Sequence, residues 1–363
     1  MTSLPSSPIK LRPEIASMQA YRQGRPAAEG GFKLSSNENP FEPLPGVLEA
    51  VAAVSSFNRY PDGTALALRE RLAARHGVAV DEVHVGAGSI SLLTQLVTAV
   101  AGSGDEVIYP WRSFEAYPGI VVVAGATSVA IPNAAGEVHD IESIAAAVTD
   151  RTRAVIICSP NNPTGAIVTA DQFEWLMSQI PSDVLVILDE AYAEFNRNEA
   201  AVRGAELIGR YPNMVLLRTF SKAWGLAGLR IGYAIGNSAI LSAARSAAIA
   251  LSVTDQAQTA ALVSLDHEEA LLERVAHIVE RRDAVVAGLT AQGWKLPETQ
   301  GNFVWLATGE ATAAAADLLQ SHGITARAFH PEGLRVSIGE HESVDKLLRA
   351  TKDVVENLLQ PQS

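Results

Sequence analysis

The pattern of apolar and polar residues changes at Val83, where short apolar runs begin to alternate with amphipathic stretches. This alternation is typical of βα units that build a mainly parallel sheet. The predicted strands are Val83–Val85, Glu106–Tyr109, Thr127–Ile131, Ala154–Cys158, Val184–Leu188, Met214–Leu217 and Arg230–Ile235. Helical spacing between and after these runs predicts helices near 91–100, 141–148, 171–178 and 238–248. We therefore predict an α/β protein whose large, doubly wound domain holds a mostly parallel seven-stranded sheet.

The chain on either side of this region has a different pattern. Residues 1–35 are rich in Pro, Gly, Ser and Arg, and we interpret them as an N-terminal arm that packs on another part of the molecule. The predicted large domain covers residues 36–255, and a smaller α/β domain covers 256–363. Further strands are predicted near 302–306 and 334–338. Further helices are predicted from about 47 and near 65–76, 266–290, 312–321 and 344–358.

Composition narrows the class of protein. The formal net charge of −12 over 363 residues disfavours nucleic acid or an anionic membrane as a partner. Cys158 is the single cysteine, so an intramolecular disulfide is excluded and a reducing, cytoplasmic location is expected. No apolar run approaches the roughly 18 residues of a membrane span. The eight histidines are scattered without ligand spacing, and we expect no metal site.

One lysine stands in an unusual setting. Lys222 lies in the stretch 218–233, RTFSKAWGLAGLRIGY, which is made largely of small and apolar residues. Desolvation lowers the pKa of an amine, and the neutral amine is a nucleophile that forms Schiff bases with aldehydes. Thr219, Ser221 and Arg230 are residue types that bind phosphate. An amine beside a phosphate site suggests pyridoxal phosphate; the alternative is a loop lysine that faces water.

A glycine turn supplies a second candidate for anion binding. Residues 85–92, VGAGSISL, lead from a predicted strand into a predicted helix. This geometry directs free N–H groups and the positive end of the helix dipole at an anion, here through Ser89 and the backbone of Ile90. A dinucleotide fingerprint is excluded because it requires glycine at position 91, where the chain has Ser91.

Polar residues also follow two predicted strands at the edge where such sheets bind ligands. Asn162 lies in SPNNPTG (159–165), which is either an ordinary turn or a rigid loop that presents amides. Asp189 ends the strand in VILDEAY (186–192), where a carboxylate either caps a helix or pairs with a buried cation such as a protonated ring nitrogen. Tyr192 would then lie beside the same ring. In the C-terminal part, Arg335 is either a surface ion-pair partner or a fork for a substrate carboxylate.

Taken together, these motifs resemble the fold-type I pyridoxal-phosphate aminotransferases of the class I/II superfamily. The resemblance is strongest to the histidinol-phosphate aminotransferase branch and runs from about residue 10 to the end of the chain. The matching segments are LSSNENP (34–40), NRYPDG (58–63), SPNNPTG, DEAY (189–192) and RTFSKAWGLAGLRIGY. The resemblance implies the aspartate aminotransferase-like fold, with a large sheet domain and a smaller α/β domain.

The resemblance also implies a role for each matching residue. Lys222 would hold the cofactor and move the substrate proton, and Asp189 would pair with the pyridine nitrogen. Arg335 and Asn39 would receive the substrate carboxylate, and Tyr21 would close over the substrate. The phenolic oxygen would contact Asn162 and Tyr192, and the phosphate would contact Ser89, Thr219, Ser221, Arg230 and, from the partner subunit, Tyr60. Because Tyr60 acts in trans, a homodimer is implied.

One segment bears on the substrate. WRSFEAYP (111–118) places Phe114 where the histidinol-phosphate enzymes typically have a tyrosine that stacks on the ring, and any aromatic face can stack. The segment is similar to that of actinobacterial aromatic (phenylalanine) aminotransferases, and Trp111 would line an aromatic pocket. Against this, Arg327 matches a position that the histidinol-phosphate enzymes use for the substrate phosphate.

Three hypotheses follow. We favour transfer of the amino group from phenylalanine, tyrosine or tryptophan to a 2-oxo acid, with 2-oxoglutarate as the expected acceptor. Within the same cofactor class, the alternatives are histidinol-phosphate aminotransferase and, more distantly, a β-lyase or decarboxylase. From another class, a non-catalytic phosphate-binding regulator would use the same glycine turn but would leave Asp189 and Lys222 without a role.

Overall fold

The structure is a computed structural model that describes residues 9–18, 26–27 and 29–359. The strands are β1 (Phe32–Lys33), β2 (Val83–Gly86), β3 (Glu106–Trp111), β4 (Thr127–Pro132), β5 (Thr152–Cys158), β6 (Leu185–Asp189), β7 (Met214–Thr219), β8 (Gly232–Gly236), β9 (Phe303–Ala307), β10 (Ile324–Thr325), β11 (Arg327–Phe329) and β12 (Gly333–Ser337). Each of the seven strands predicted between 83 and 235 is present, with ends that differ by at most two residues.

The large sheet has the strand order β2-β8-β7-β6-β5-β3-β4. Its strands are parallel except for β8, which is antiparallel to both of its neighbours. Because β5, β6 and β7 are adjacent and parallel, the loops after their carboxyl ends meet at one edge of the sheet. The prediction of a mostly parallel seven-stranded sheet is confirmed.

Side chains on the central strands alternate between two cores. On β5, Val155 and Ile157 belong to one buried cluster, whereas Ala154 and Ile156 belong to the other. A strand that is buried on both faces is apolar at every position, which explains the continuous apolar runs in the sequence. The sheet is therefore the middle layer of an α/β sandwich, and its ends are the positions where polar groups emerge.

The α-helices cover these layers and continue into the C-terminal part. They are α1 (Pro13–Ser17), α2 (Pro45–Ala53), α3 (Leu66–His76), α4 (Ser89–Val100), α5 (Ala116–Ala124), α6 (Ile141–Ala146), α7 (Ala170–Gln179), α8 (Gly204–Leu207), α9 (Ser238–Ser246), α10 (Asp255–Asp266), α11 (Glu268–Ala291), α12 (Thr312–Ser321) and α13 (Ser343–Val354). Within the described ranges, no helix has the length and apolar character needed to cross a bilayer.

Four of these helices are absent from the sequence prediction: the short α1 and α8, and the longer α5 and α10. Helix α5 contains Pro118 and a run of β-branched valines, both of which are unusual in a helix. Proline is tolerated in the first turn of a helix, and the apolar face of α5 packs on the second core. Helix α10 begins at Thr254, whose hydroxyl accepts a hydrogen bond from Ala257 N (3.2 Å), and it ends just before α11. The single long helix predicted near 266–290 is therefore preceded by a second one.

A three-stranded antiparallel sheet with the order β11-β12-β9 lies in the C-terminal part. The short strand β1 pairs in parallel with β10, so the segment at Phe32 is joined to the C-terminal part by backbone hydrogen bonds. The two main sheets fall on either side of the predicted boundary at 255/256, and the boundary itself stays a prediction.

Candidate active site

A cavity of about 620 Å³ opens at the edge where β5, β6 and β7 end. It also receives the start of α4 and a side chain from β12. Predicted site residues that line it are Ser89, Ile90, Phe114, Asn162, Asp189, Tyr192, Thr219, Ser221, Lys222, Arg230 and Arg335. Residues separated by up to 246 positions therefore meet in one place.

Lys222 follows β7 and lies partly buried in this cavity, not in open solvent. Its Nζ donates a hydrogen bond to the backbone oxygen of Ser36 at 3.0 Å. Burial, reinforced by the positive charge of Arg335, lowers the pKa of Lys222 to about 7. A substantial fraction of the amine is consequently neutral near pH 7 and available as a nucleophile or base.

Asp189 is the last residue of β6 and is 4% exposed. Its Oδ2 accepts a hydrogen bond from the Tyr117 hydroxyl at 2.8 Å. Its Oδ1 is buried and has no hydrogen-bond partner in the described part of the chain. Burial raises the pKa of Asp189 to about 6, and the hydrogen bond from Tyr117 opposes that rise. A buried carboxylate oxygen that faces a cavity without a partner fits a cationic ligand group.

Polar contacts tie the two sheets together across the cavity. Arg335, on β12, donates to Asn162 Oδ1 at 2.5 Å and to the backbone oxygen of Ser35 at 2.8 Å. Tyr192 accepts a hydrogen bond from Asn37 Nδ2 at 3.0 Å, and burial raises the pKa of this tyrosine. The guanidinium and the amide are thereby fixed before any ligand arrives.

An anion cradle forms at the start of α4. Gly88, with φ of +80°, turns the chain so that the helix begins at Ser89. A Cβ at Gly88 would lie 2.4 Å from Nη2 of Arg230, so only glycine lets the guanidinium approach this closely. Arg230 also donates to Ser221 Oγ at 3.1 Å. Helix N–H groups, a hydroxyl and a guanidinium together fit a phosphate dianion.

Four predicted site residues within the described ranges do not line the cavity. Asn39 donates to Ala223 O at 2.9 Å and accepts from Phe41 N at 2.9 Å, so its amide secures the segment beside Lys222. Tyr60 is 85% exposed. The other two are Arg327, which pairs with Glu115, and Trp111, which stacks under Arg112 at 4.3 Å. Tyr21 lies outside the described residues.

The structure also adds residues that the sequence prediction omitted. Tyr117 contacts Asp189 directly, and Asn37 holds Tyr192. Ser36 and Glu38 line the cavity beside Lys222. The sequence held a signal for all four, since Ser36, Asn37 and Glu38 lie within the quoted LSSNENP segment and Tyr117 lies within WRSFEAYP.

Comparison with known proteins decides the family. The family model described as aminotransferase class I and II matches residues 29–350. The chain belongs to the class I and II aminotransferases. For this aminotransferase, the orphaned oxygen of Asp189 and the cradle at Arg230 agree with the pyridoxal phosphate that the family implies.

Relatives of this aminotransferase span nearly its whole length. The aromatic amino acid aminotransferase of Streptomyces avermitilis is 50% identical over 347 residues, which cover 94% of this chain and 97% of that protein. The enzyme of the same name from Corynebacterium glutamicum strain R is 51% identical over 341 residues, which cover 94% of this chain and 98% of that protein.

Solved structures agree on the fold. Histidinol-phosphate aminotransferase from Sinorhizobium meliloti, in complex with pyridoxal-5'-phosphate, superposes with a TM-score of 0.85 at 27% identity, covering 97% of this chain and 99% of that one. Thermus thermophilus aspartate aminotransferase with maleate gives a TM-score of 0.81 at 24% identity, covering 95% and 100%. The expected aspartate aminotransferase-like fold is therefore confirmed.

Proposed function

We propose that this aminotransferase uses pyridoxal phosphate to move the amino group of an aromatic amino acid (phenylalanine, tyrosine or tryptophan) to a 2-oxo acid, with 2-oxoglutarate as the acceptor. The observation that carries the proposal is the pairing, in one cavity, of the low-pKa amine of Lys222 with the orphaned oxygen of Asp189. An amine that is partly neutral near pH 7 can bond to the aldehyde of this cofactor. A buried carboxylate without a cationic partner can pair with its protonated ring nitrogen.

Different residues of the cavity would contact different parts of the cofactor. Asp189 would hold the ring nitrogen in its protonated form, and Asn162 and Tyr192 would contact the phenolic oxygen. Phe114, on the β3–α5 loop, would stack on the ring, and its own ring is braced edge-on by Tyr117 at 5.6 Å. Ser89, Ile90, Thr219, Ser221 and Arg230 would hold the phosphate. When bound, pyridoxal phosphate supplies a sink for the electrons of the breaking Cα–H bond.

Lys222 would act as the base that takes the proton from the substrate Cα and delivers it to the C4′ carbon of the cofactor. A general base works best with a pKa near the working pH, and the pKa of Lys222 at about 7 meets that condition. The Ser36 carbonyl, which accepts from Nζ at 3.0 Å, orients the amine toward the cavity. Arg335 would bind the α-carboxylate through its fork, with Asn39 assisting from the adjoining segment.

The aromatic donor is supported by the names of the relatives that are about half identical over nearly the full length. Histidinol phosphate is the competing donor, and the likeness to the Sinorhizobium meliloti enzyme favours it. The aromatic lining near the cavity includes Phe114, with Trp111 at the end of β3. We therefore place the aromatic amino acid first.

We further propose a cytoplasmic homodimer in which Tyr60 completes the phosphate site of the partner subunit. Tyr60 is 85% exposed, and Phe57 and Ile249 are 79% and 78% exposed. Large apolar side chains exposed to this extent favour a protein interface. The single cysteine, Cys158, is buried and free, which suits a reducing compartment.

The test is a half-reaction followed by a donor panel. Phenylalanine added to the cofactor-loaded enzyme without a 2-oxo acid should bleach the aldehyde absorbance, and no bleaching with any aromatic donor would overturn the proposal. Comparison of kcat/KM for phenylalanine, tyrosine, tryptophan and histidinol phosphate on one preparation separates the two donors. A higher value for histidinol phosphate would reverse their order.

A further inference from the structure

The segment 34–37 lies between β12 and the cavity and contacts both. On the β12 side, Arg335 donates a hydrogen bond to the backbone oxygen of Ser35 at 2.8 Å. On the cavity side, the backbone oxygen of Ser36 accepts from Lys222 Nζ at 3.0 Å. The segment therefore joins the C-terminal sheet to the residues that would hold the cofactor.

Asn37, the last residue of this segment, is completely buried and fixed by three hydrogen bonds to the C-terminal part. Its backbone N donates to Ser337 Oγ at 2.8 Å, and that hydroxyl donates back to Asn37 Oδ1 at 2.9 Å. Asn302 Nδ2 donates to the backbone oxygen of Asn37 at 3.2 Å. Because Ser337 engages the oxygen of the amide, the nitrogen of the amide is directed at Tyr192.

The hydroxyl of Tyr192 receives that amide nitrogen. Asn37 Nδ2 donates to it at 3.0 Å, and Phe303 packs edge-on against the tyrosine ring at 5.0 Å. Burial raises the pKa of Tyr192, and the charge of Arg335 and the Asn37 hydrogen bond oppose that rise, so the hydroxyl keeps its hydrogen at neutral pH. No residue in the described ranges accepts this hydrogen, which is therefore available to a ligand in the cavity.

We propose that Asn37 is a positioning residue whose amide, aligned by Ser337, directs the Tyr192 hydroxyl hydrogen to the phenolic oxygen of the cofactor. This inference rests on the proposed function, which places that oxygen beside Tyr192, and it names the residues that orient the contact. A hydroxyl that accepts one hydrogen bond donates a stronger one. A strong donor stabilises the ionised phenolic oxygen and weakens its hold on a proton, so the bound cofactor deprotonates at a lower pH.

The simpler view is that asparagine serves only the backbone at this position. Asn37 has a φ of +52°, in the left-handed region that asparagine adopts more readily than most residues. Glycine adopts this conformation at least as readily, so Asn37→Gly removes the amide and keeps the turn. In the simpler view this variant would leave the cofactor unaffected.

The test is a spectrophotometric pH titration of the cofactor-loaded enzyme without substrate. The quantity measured is the pH midpoint of the cofactor absorbance change, which does not depend on the fraction of protein that is folded. Asn37→Gly should raise this midpoint by roughly 0.5 to 1 pH unit, the size of one hydrogen bond. An unchanged midpoint would overturn the inference. Ser337→Ala should raise it by less, and no rise in that variant would contradict the alignment by Ser337.

A double-variant cycle shows whether Asn37 acts through the tyrosine hydroxyl. Tyr192→Phe should raise the midpoint at least as much as Asn37→Gly does. In the Tyr192→Phe background, Asn37→Gly should add less than about 0.2 pH unit, because no hydroxyl is left to direct. A full additional shift in that background would contradict the proposed route.

The matched control is Asn302→Ala. Asn302 is as buried as Asn37 and contacts only the backbone oxygen of Asn37, not its amide. Its loss should lower the free energy of unfolding and leave the midpoint at the wild-type value. An equal shift in this control would show that displacement of the segment, and not loss of the amide, moves the midpoint, and would overturn the assignment to Asn37.

The titration uses no amino donor, which keeps this inference apart from the proposed function. If the midpoints shift as expected but no aromatic donor bleaches the wild-type enzyme, the proposed donor is wrong and the role of Asn37 stands. If phenylalanine bleaches the wild-type enzyme and Asn37→Gly titrates like wild type, only the role of Asn37 is lost.

Discussion

Two groups of buried charges lie at the ends of β6 and β7, and they differ in whether each charge contacts a side chain of opposite charge. In the first, around Arg218, Nη1 donates to Glu190 at 2.8 Å and Nη2 donates to Glu194 at 2.9 Å. Glu194 also accepts a hydrogen bond from Trp224 Nε1 at 3.1 Å. In the second, around the cavity, Asp189 keeps one oxygen without a partner in the described chain.

The charges around Arg218 have a structural role, whereas those in the cavity have a functional one. Paired charges in the Arg218 cluster fix the segment that carries Lys222 and Trp224, so breaking a pair should destabilise the fold. In the cavity, the lowered pKa of Lys222 and the raised pKa of Asp189 mean that burial disfavours both charged forms. Such groups weaken the folded state and are typical of sites that act on a ligand.

Replacement of Lys222 by Ala should have the largest effect on activity. The variant loses the nucleophile and the base together, and we expect turnover of phenylalanine to fall by at least about a thousandfold. The measurement is single-turnover absorbance of the cofactor-loaded protein, with circular dichroism as the check on folding. Turnover within tenfold of wild type would place the chemistry elsewhere.

Replacement of Arg218 by Met should have the largest effect on stability. The change leaves Glu190 and Glu194 buried without their cation, which costs on the order of 3–5 kcal/mol of unfolding free energy. The measurement is urea unfolding of the protein without cofactor.

The matched control is Lys222→Met in the same assay. Below pH 7 the lysine is protonated in both states and its buried charge opposes folding, an effect that fades as pH rises toward the unfolded pKa near 10.4. At pH 6 the control should therefore be as stable as wild type or more stable. If both variants lose similar stability, the distinction between the two charge groups fails.

Replacement of Arg335 by Gln should weaken donor binding. Loss of a forked contact to the α-carboxylate lowers kcat/KM for phenylalanine by about 10- to 100-fold. The positive charge of Arg335 also lowers the pKa of Lys222. In the variant, the pH at which the apoprotein captures the cofactor at half its maximal rate should therefore be higher. Arg335→Lys keeps the charge but not the fork, and it should restore that pH dependence without restoring kcat/KM.

Replacement of Tyr117 by Phe should have the smallest effect of the four. The tyrosine hydroxyl stabilises ionised Asp189, so its loss raises the pKa of that carboxyl further above its ordinary value. The acid limb of the kcat/KM profile should move upward by about one pH unit. The same loss at pH 5 and pH 9 would instead indicate a packing defect.

Sequence predicts the parts of this molecule that depend on local pattern. Asp189 is predictable because a polar residue at the end of an apolar strand stands out, and Lys222 because it lies in a stretch of small and apolar residues. The strands that precede them, β6 and β7, are neighbours in the sheet. Contacts between residues that are far apart in the sequence could not be predicted from such local patterns. The contact of Tyr117 with Asp189 spans 72 positions, and that of Arg335 with Asn162 spans 173. Helix α5 escaped prediction because its valines fit a strand equally well.

The central claim is that the amine of Lys222 captures the aldehyde of pyridoxal phosphate. The direct measurement is borohydride reduction of the cofactor-loaded enzyme, followed by proteolysis and mass spectrometry of the labelled peptide. We expect one stoichiometric label, on Lys222. A label on another lysine, such as Lys33, which forms an ion pair with Glu38 beside the cavity, or no label at all would contradict it.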